Sequence, residues 1–184
     1  MRTLVVAFVA LAATLTACSS GDEPSKTPSS SAAPKPAPST NAAAAALDPC
    51  KLLPAEAVSK ALFLDNLKAV PGPVRDNAAN GGKARSCEYQ NGGKAAGALA
   101  VTRYEGKTGK PAEMLAAIKK AKPGAQDVPG FPDGAVYYVD GQQAATLVSG
   151  ELVGGTPVLV NYTGPAKMTP EQLAPLVKQA LAAG

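Results

Sequence analysis

The first 46 residues of the chain consist of a short apolar leader and a stretch without large apolar side chains, which predicts that the folded part is confined to residues 47–184. Residues 4–17 form an uncharged apolar run behind Met1 and Arg2, as in the hydrophobic segment of a secretory signal peptide. The run is shorter than the about 20 residues that a helix needs to cross a bilayer. Residues 18–46 are mainly Ser, Pro, Thr and Ala without net charge, which predicts a disordered tether.

The apolar run ends in the sequence Leu-Thr-Ala-Cys, in which the cysteine is Cys18. This ending resembles the lipobox of bacterial lipoprotein precursors, which has an aliphatic residue and two small residues before the modified cysteine. The resemblance implies a signal peptide over residues 1–17, cleavage after Ala17 and a diacylglyceryl group on the sulfur of Cys18. Because each buried methylene contributes about 0.8 kcal/mol, two acyl chains on one residue give stable anchoring. We therefore expect a lipid anchor at the extracytoplasmic face of the cell membrane; an ordinary secretory peptide with an incidental cysteine is the alternative.

Composition excludes several kinds of function. The chain has no His, so His-based catalytic triads, His general bases and imidazole metal ligands are excluded. Its net charge of +4 is too small and too dispersed to indicate a nucleic-acid partner. The sequence also lacks the Asp-rich loop that is typical of a calcium site, and we expect neither a metal nor a cofactor.

Cys50 and Cys87 are the two cysteines that remain once Cys18 is assigned to lipidation. In an exported and therefore oxidising setting, this pattern favours a disulfide between them. Such a bond would close a loop of about 37 residues and stabilise the domain by roughly 3–4 kcal/mol on the chain-entropy model. A redox pair and two unpaired buried thiols are the alternatives, and the absence of a C-x-x-C spacing disfavours the redox pair.

Hydrophobic periodicity and turn residues predict three helices and five strands in residues 47–184. The predicted helices cover 54–63, 111–120 and a segment that begins after Thr169, and the predicted strands cover 85–90, 96–105, 135–139, 143–153 and 156–163. Turn dipeptides such as Asn91-Gly92 between the strands predict hairpins. The order α-β-β-α-β-β-β-α predicts an α+β domain, with an antiparallel sheet of about five strands and the helices packed on one face. Within the last helix, Pro175 predicts a kink or an early end.

Three short motifs carry a resemblance to a known family. They are Asp48-Pro49-Cys50-Lys51-Leu52-Leu53, Cys87-Glu88-Tyr89, and Val128-Pro129-Gly130-Phe131 before an Ala-Val-Tyr strand. On these motifs the domain resembles, over essentially its whole length, an actinobacterial lipoprotein family known as domain of unknown function thirty-five fifty-eight. The resemblance implies an envelope location, supports the Cys50–Cys87 pair and assigns no chemistry. The turn at residues 131–134 departs from the glycine-rich turn of that family.

Tyr137, Tyr138, Lys119 and Lys120 are the candidate residues for a binding surface. Adjacent strand residues point to opposite faces of a sheet, so at most one of the two tyrosines joins the core and the other is available for a surface contact. The two lysines lie on the outer side of the second predicted helix, where they favour an anionic lipid or wall polymer. Sheet packing of the tyrosines and a solvated helix face for the lysines are the alternatives.

The carboxylates are isolated in the sequence, and most of them fall at turns or at the ends of elements. We therefore expect no catalytic residue and a non-catalytic role, in binding or in an accessory interaction with an unidentified envelope protein. A carrier of a small apolar ligand is the alternative within binding, and a carboxylate-dependent hydrolase is the alternative from another class. An enzyme should show convergent polar groups in a pocket, a carrier an apolar cavity of several hundred Å3, and an interaction module neither.

Overall fold

The computed structural model describes residues 48–141 and 143–184, which form four helices and eight strands. The predicted signal peptide, the lipidation site Cys18 and the tether lie outside these described residues. In chain order the elements are α1 (Pro49–Leu52), α2 (Ala55–Leu62), β1 (Leu67–Pro71), β2 (Arg75–Asn77), β3 (Gly82–Asn91), β4 (Lys94–Tyr104), α3 (Pro111–Ala121), β5 (Gln126–Asp127), β6 (Ala135–Asp140), β7 (Ala144–Val153), β8 (Thr156–Pro165) and α4 (Pro170–Ala182).

All eight strands belong to one antiparallel sheet. Seven of them follow the order β1-β3-β4-β8-β7-β6-β5. The short strand β2 also pairs with β3, beside β1 on the same edge of that strand. In the middle of the sheet, β4 pairs with β8 although α3 and three strands separate them in sequence. The α+β class and the antiparallel sheet that the sequence predicts are confirmed.

The larger core lies on one face of the sheet, where α1, α2 and α4 pack. The buried stripe of α4 consists of Leu173, Leu176, Val177 and Ala180, which follow the spacing of one helix face. These side chains share a core with strand residues such as Leu147, Val158 and Tyr162.

The helix α3 packs on the opposite face of the sheet. Its Leu115 shares a second, smaller core with Val136, Val148 and Leu159. Because successive strand residues point to opposite faces, these residues cannot face the same side as their neighbours in the larger core, such as Tyr137 and Leu147. The prediction that all helices pack on one face is therefore wrong. The reason is that β7 is buried on both sides over residues 145–150, so each side needs a cover.

The predictions of about five strands and of the exact element order are also wrong. The five predicted strands correspond to β3, β4, β6, β7 and β8, whereas β1, β2 and β5 were not predicted. The strand β1 ends in a proline, β2 is exposed at all three residues, and β5 has two residues. None of these segments carries an alternating apolar pattern long enough to predict a strand, and each is a strand because an ordered neighbour supplies its hydrogen-bond partners.

The predicted disulfide between Cys50 and Cys87 is confirmed. It joins α1 to the middle of β3, with 5.1 Å between the two Cα atoms. Asp48 begins α1 as its N-cap, and its carboxylate accepts a hydrogen bond of 3.1 Å from the backbone amide of Cys50. The hydroxyl of Tyr89 donates to the carbonyl of Leu53 at 2.6 Å, so a second bond holds the end of α1 on β3.

The last helix is not shortened by Pro175. The helix α4 begins with Thr169 as its N-cap and runs to Ala182, seven residues beyond Pro175. The backbone amide of Thr169 donates to the side-chain oxygen of Gln172 at 2.9 Å, which is one of the two hydrogen bonds of a capping box. Among the described residues, none of the four helices combines the length and the apolar content that a membrane crossing needs.

Candidate functional site

A cavity of about 460 Å3 opens at one end of the sheet. Its walls are the C-terminal end of α2, the turn between β3 and β4, and the connection from β8 to α4. We call this cavity the α2 pocket. Apolar side chains form most of its lining, including Leu62, Leu64, Ala96 and Met168.

Backbone conformation explains why these three segments meet. Phe63 ends α2 in the left-handed region, at φ 52° and ψ 43°, and thereby turns the chain away from the helix axis. On the β3–β4 side, Gly92 and Gly93 have φ values of 55° and 80°, which a tight hairpin turn requires. A bulge in the β3–β4 pairing leaves Ala96 as an extra residue, and Ala96 is buried against the pocket.

The charged side chains that line the α2 pocket are Lys94 and Lys167, and no carboxylate is among the described lining residues. Both lysines are exposed, and neither forms an ion pair within the part of the chain that the structure describes. The polar side chains of Asn91 and Gln172 are engaged in the fold. Asn91 donates to the backbone carbonyl of Asp65 at 2.9 Å, and Gln172 caps α4. The pocket therefore offers an apolar floor and two free positive charges.

Phe63 stands at the mouth of the α2 pocket with 93% of its surface exposed. It is the most exposed of the large hydrophobic residues in the described part of the chain. A bulky residue with positive φ is uncommon, because its Cβ crowds the backbone there. Exposure and backbone strain thus coincide at one residue of the pocket, and strained backbone of this kind is found preferentially at functional sites.

The structure does not bring the four predicted surface residues together. Tyr137 lies in the larger core and its hydroxyl donates to the carbonyl of Met168 at 2.8 Å, so its assignment to a surface is wrong. Tyr138 faces the opposite side, where the ammonium of Lys122 lies 5.1 Å from the ring centroid. Lys119 is paired with the carboxylate of Asp127.

Lys120 is exposed on α3 and forms no ion pair with any described residue. Part of the positive charge on this side of α3 is nevertheless neutralised, because Lys119 is paired with Asp127 and Lys122 with Asp140, the latter at 2.7 Å. Paired and solvated lysines of this kind correspond to the alternative of an ordinary helix surface.

A second groove of about 510 Å3, more open than the α2 pocket, brings two carboxylates together. Asp133 and Glu151 both line it, next to Phe131 and Lys178. Partial burial raises the pKa of the Glu151 carboxyl above its ordinary value, and the negative charge of Asp133 raises it further. Within the described residues, no group of three or more Asp, Glu, Cys or His side chains is arranged to hold a metal ion.

Phe63, Lys94 and Lys167 are not predicted as site residues from the sequence. These residues lie on three segments that only the pairing of β4 with β8 and the packing of α2 bring to one place. A sequence signal was available for one wall: the Asn-Gly-Gly-Lys turn predicts that Asn91 and Lys94 lie opposite one another. No pattern in the sequence relates that turn to Lys167.

A comparison with known protein families assigns the chain to one of them. The sequence model of a family described as "Protein of unknown function (DUF3558)" matches residues 13–152, which is most of the chain. The match includes Phe63 and Lys94 and ends within β7, before β8 and α4. Neither a search of curated proteins nor a search of solved structures found a significant match. The chain therefore belongs to the DUF3558 family.

Proposed function

We propose that the protein is a lipid-anchored component of the cell envelope that binds a small amphipathic molecule and catalyses no reaction. The ligand has an apolar body, held in the α2 pocket, and an anionic group, held by Lys94 and Lys167. The observation that carries the proposal is the composition of this pocket, which combines an apolar lining with two lysines and contains no described carboxylate.

The size of the pocket supports a small molecule as the ligand. Binding pockets for small molecules range over about 300–1,000 Å3, and they are lined mainly by apolar side chains with a few placed polar groups. The α2 pocket, at about 460 Å3, lies in the lower part of this range. Its floor is firm, because Met168 and Ala96 are buried and the carbonyl of Met168 is held by Tyr137.

The two lysines support an anionic group on the ligand. A lysine ammonium on a flexible stem acts as a mobile point charge, and carboxylate or phosphate oxygens are its usual partners. Lys94 and Lys167 line the pocket from two different segments, the β3–β4 turn and the β8–α4 connection. An anion between them would gain two charge-assisted hydrogen bonds while its apolar body replaces water on the floor.

The proposal can be tested with three probes that share one alkyl chain. The probes are dodecanoate, dodecanol and dodecyltrimethylammonium, and their binding to the segment 47–184 is measured by native mass spectrometry and titration calorimetry. Circular dichroism first checks that this segment is folded. Dodecanoate should bind most tightly, since it alone offers both an apolar chain and a negative charge. In a Lys94→Ala/Lys167→Ala variant, dodecanoate should bind about tenfold or more weakly, with dodecanol unchanged.

The matched control for this test is Lys120→Ala, which removes an exposed lysine far from the pocket. It should leave dodecanoate binding unchanged. Equal binding of all three probes, or equal effects of the pocket and control substitutions, would contradict the proposed site. If no probe binds and cross-linking of the anchored protein instead captures an envelope protein, the role is that of an interaction module.

Anchoring is tested at Cys18. A diacylglyceryl group on its sulfur would keep the protein with membranes after cell fractionation. We predict that Cys18→Ser releases the protein into the soluble fraction or leaves it as the longer, uncleaved precursor. Cys50→Ser serves as the control, because it alters a cysteine of the folded domain and should keep the protein with membranes. An unchanged size together with unchanged fractionation of Cys18→Ser would overturn the anchor.

A second candidate function is hydrolysis that depends on carboxylates. The observation that favours it is the pair Asp133 and Glu151 in the second groove, with the pKa of Glu151 raised as a general acid requires. The test is hydrolysis of a panel of nitrophenyl esters and glycosides by the protein and by Glu151→Gln. Activity that Glu151→Gln abolishes would favour the enzyme, and no activity with any substrate of the panel would favour the binding protein.

A further inference from the structure

We propose that the mouth of the α2 pocket docks on an anionic membrane surface, with Phe63 inserted among the lipids and Lys94 and Lys167 against the headgroups. This inference goes beyond ligand binding, because it assigns a second partner to the exposed rim of the pocket. It uses a lipid surface as the partner, and it does not require a small molecule in the cavity.

The exposure of Phe63 is the first observation. The ring is 93% exposed, so it contributes almost nothing to the packing of the domain, while its backbone lies in the left-handed region. A glycine or asparagine would adopt the positive φ at this position with less strain, and Asn66, three residues later, is an asparagine with φ 56°. The side chain gains an apolar environment only from something outside the domain, and a lipid boundary offers one.

The charges around Phe63 are the second observation. Lys94 and Lys167 line the opening together with Phe63, and no described carboxylate lines it. The acidic residue nearest to Phe63 in sequence is Asp65, which is exposed and is not part of the lining. Two lysines without a neighbouring carboxylate are complementary in charge to negative lipid headgroups, and the exposed ring beside them is complementary to the apolar interior below the headgroups.

The small size of the exposed apolar area favours a membrane over a protein partner. A stable protein interface buries about 800 Å2 on each side and has an apolar centre made by several residues. Among the described residues at the mouth of the pocket, Phe63 is the one large hydrophobic residue that is mostly exposed. One ring and two lysines are too few for such an interface, whereas a ring can enter a lipid boundary without a matching partner surface.

Docking in this orientation turns the opening of the pocket toward the lipids. An amphipathic molecule could then pass between bilayer and pocket without crossing water, a consequence that rests on the proposed function. The docking itself rests on Phe63, Lys94 and Lys167.

The absence of tryptophan from the chain gives a direct test. Phe63→Trp introduces a single tryptophan at the mouth, and the full chain is incorporated into vesicles of phosphatidylcholine, with or without phosphatidylglycerol. In vesicles that contain phosphatidylglycerol, its emission should shift to shorter wavelength and brominated lipids should quench it. In pure phosphatidylcholine, and in either vesicle at high salt, both effects should be much smaller because screening weakens the attraction of the lysines.

The matched control is Leu152→Trp. Leu152 is also an exposed hydrophobic residue, at 53%, but it lies at the end of the sheet away from the α2 pocket. Its emission should be the same in both kinds of vesicle. Equal quenching of the two tryptophans, or equal quenching of Phe63→Trp with and without phosphatidylglycerol, would overturn the docking.

Charge reversal tests the lysines. In the Phe63→Trp background, Lys94→Glu and Lys167→Glu should each lower the ratio of docked to free domain by about fivefold or more. Lys120→Glu, the same change on α3, should leave the ratio unchanged. Equal effects of Lys120→Glu and the pocket variants would show that the net charge of the domain, and not the position of the lysines at the mouth, controls docking. Binding of dodecanoate, measured separately, distinguishes a failure of docking from a failure of the proposed function.

Discussion

Two tyrosines of the larger core differ by one hydrogen bond. The rings of Tyr89 and Tyr162 stack with 5.9 Å between their centroids, and both are fully buried. The Tyr89 hydroxyl donates to the Leu53 carbonyl, whereas the Tyr162 hydroxyl has no partner among the described residues. Burial raises the pKa of both phenols, so both stay neutral. Their roles are in packing, and the difference between them is a matter of stability.

We predict that removing the hydroxyl of Tyr162 and removing that of Tyr89 change the free energy of unfolding in opposite directions. Tyr162→Phe should raise the free energy of unfolding by up to about 1 kcal/mol, because it removes a buried polar group that has no partner. Tyr89→Phe should lower the free energy of unfolding by about 1–2 kcal/mol, because it removes the hydrogen bond to the Leu53 carbonyl and leaves that carbonyl without a donor. Urea unfolding of both variants measures the difference. A loss of stability in both variants would show that the Tyr162 hydroxyl has a partner.

Glu151 should make stability depend on pH. Burial, and then the charge of Asp133, raise its pKa above the ordinary 4.5 in the folded state. A raised folded pKa means that the folded state holds the proton more tightly, so its contribution to stability is present below pH 4.5 and is lost as pH rises through the folded value. We predict that Glu151→Gln is more stable than the wild type near neutral pH and equal to it in acid.

Glu105 serves as the control for this measurement, because its pKa is shifted in the opposite direction. A hydrogen bond from Lys83 and the charge of Lys83 lower its pKa, so its contribution is present near neutral pH and is lost as pH falls. Glu105→Gln should therefore be less stable than the wild type near neutral pH. Urea unfolding at several pH values checks both variants, and the same sign for both would contradict the assignment of Glu151.

At the scale of elements, the contact of α3 with β7 depends on a glycine. A Cβ built on Gly150 would lie 2.6 Å from Leu159 Cδ2, 2.9 Å from the Val158 carbonyl and 3.1 Å from Pro111 Cβ. Pro111 begins α3, so the missing side chain lets the helix start directly on the strand. This close approach is what allows α3 to cover the second face of the sheet.

We predict that Gly150→Ala lowers the free energy of unfolding by about 1–3 kcal/mol, because an added methyl overpacks this contact. Gly109→Ala is the matched control, since its Cβ would meet no atom within 4 Å and its φ is not positive. It should leave stability nearly unchanged. Thermal unfolding compares the two, and equal melting temperatures would show that α3 can shift without cost.

At the scale of the whole molecule, the disulfide joins the start of the described chain to the sheet. Cys50 and Cys87 are separated by 37 residues, a span that contains α2, β1, β2 and half of β3. The segment between them includes the edge strands and Phe63, which have few buried side chains of their own. Closing this loop lowers the entropy of the unfolded chain over a region that packing alone holds weakly.

We predict that Cys50→Ala/Cys87→Ala lowers the free energy of unfolding by about 3–4 kcal/mol. Urea unfolding measures the change, and the reduced wild type is the control because it lacks the bond but keeps both sulfurs. A loss well below about 2 kcal/mol in both forms would mean that the unfolded chain remains compact without the bond.

Features that depend on neighbouring residues or on a simple count of residue types could be predicted from the sequence. The hairpin turn after Asn91 follows from its Asn-Gly sequence, because glycine accepts the positive φ that such a turn needs. The start of α4 follows from the cap made by Thr169 and Gln172, and the disulfide follows from pairing Cys50 with Cys87, the two cysteines of the folded domain. Membership of the DUF3558 family could also be read from short motifs. These features are local or compositional, so they do not depend on how distant segments pack.

The remaining features depend on how distant segments pack together. Pairing of β4 with β8 joins segments about 60 residues apart, and no local pattern selects that partner among several apolar strands. The strands β1, β2 and β5 exist because neighbouring strands offer hydrogen bonds, and α3 lies on the second face because Gly150 admits it. The α2 pocket follows from the same pairing, which brings Lys167 to Lys94 and Phe63. Contacts of this kind are decided by the free energy of the whole packed arrangement, and a single segment does not carry that information.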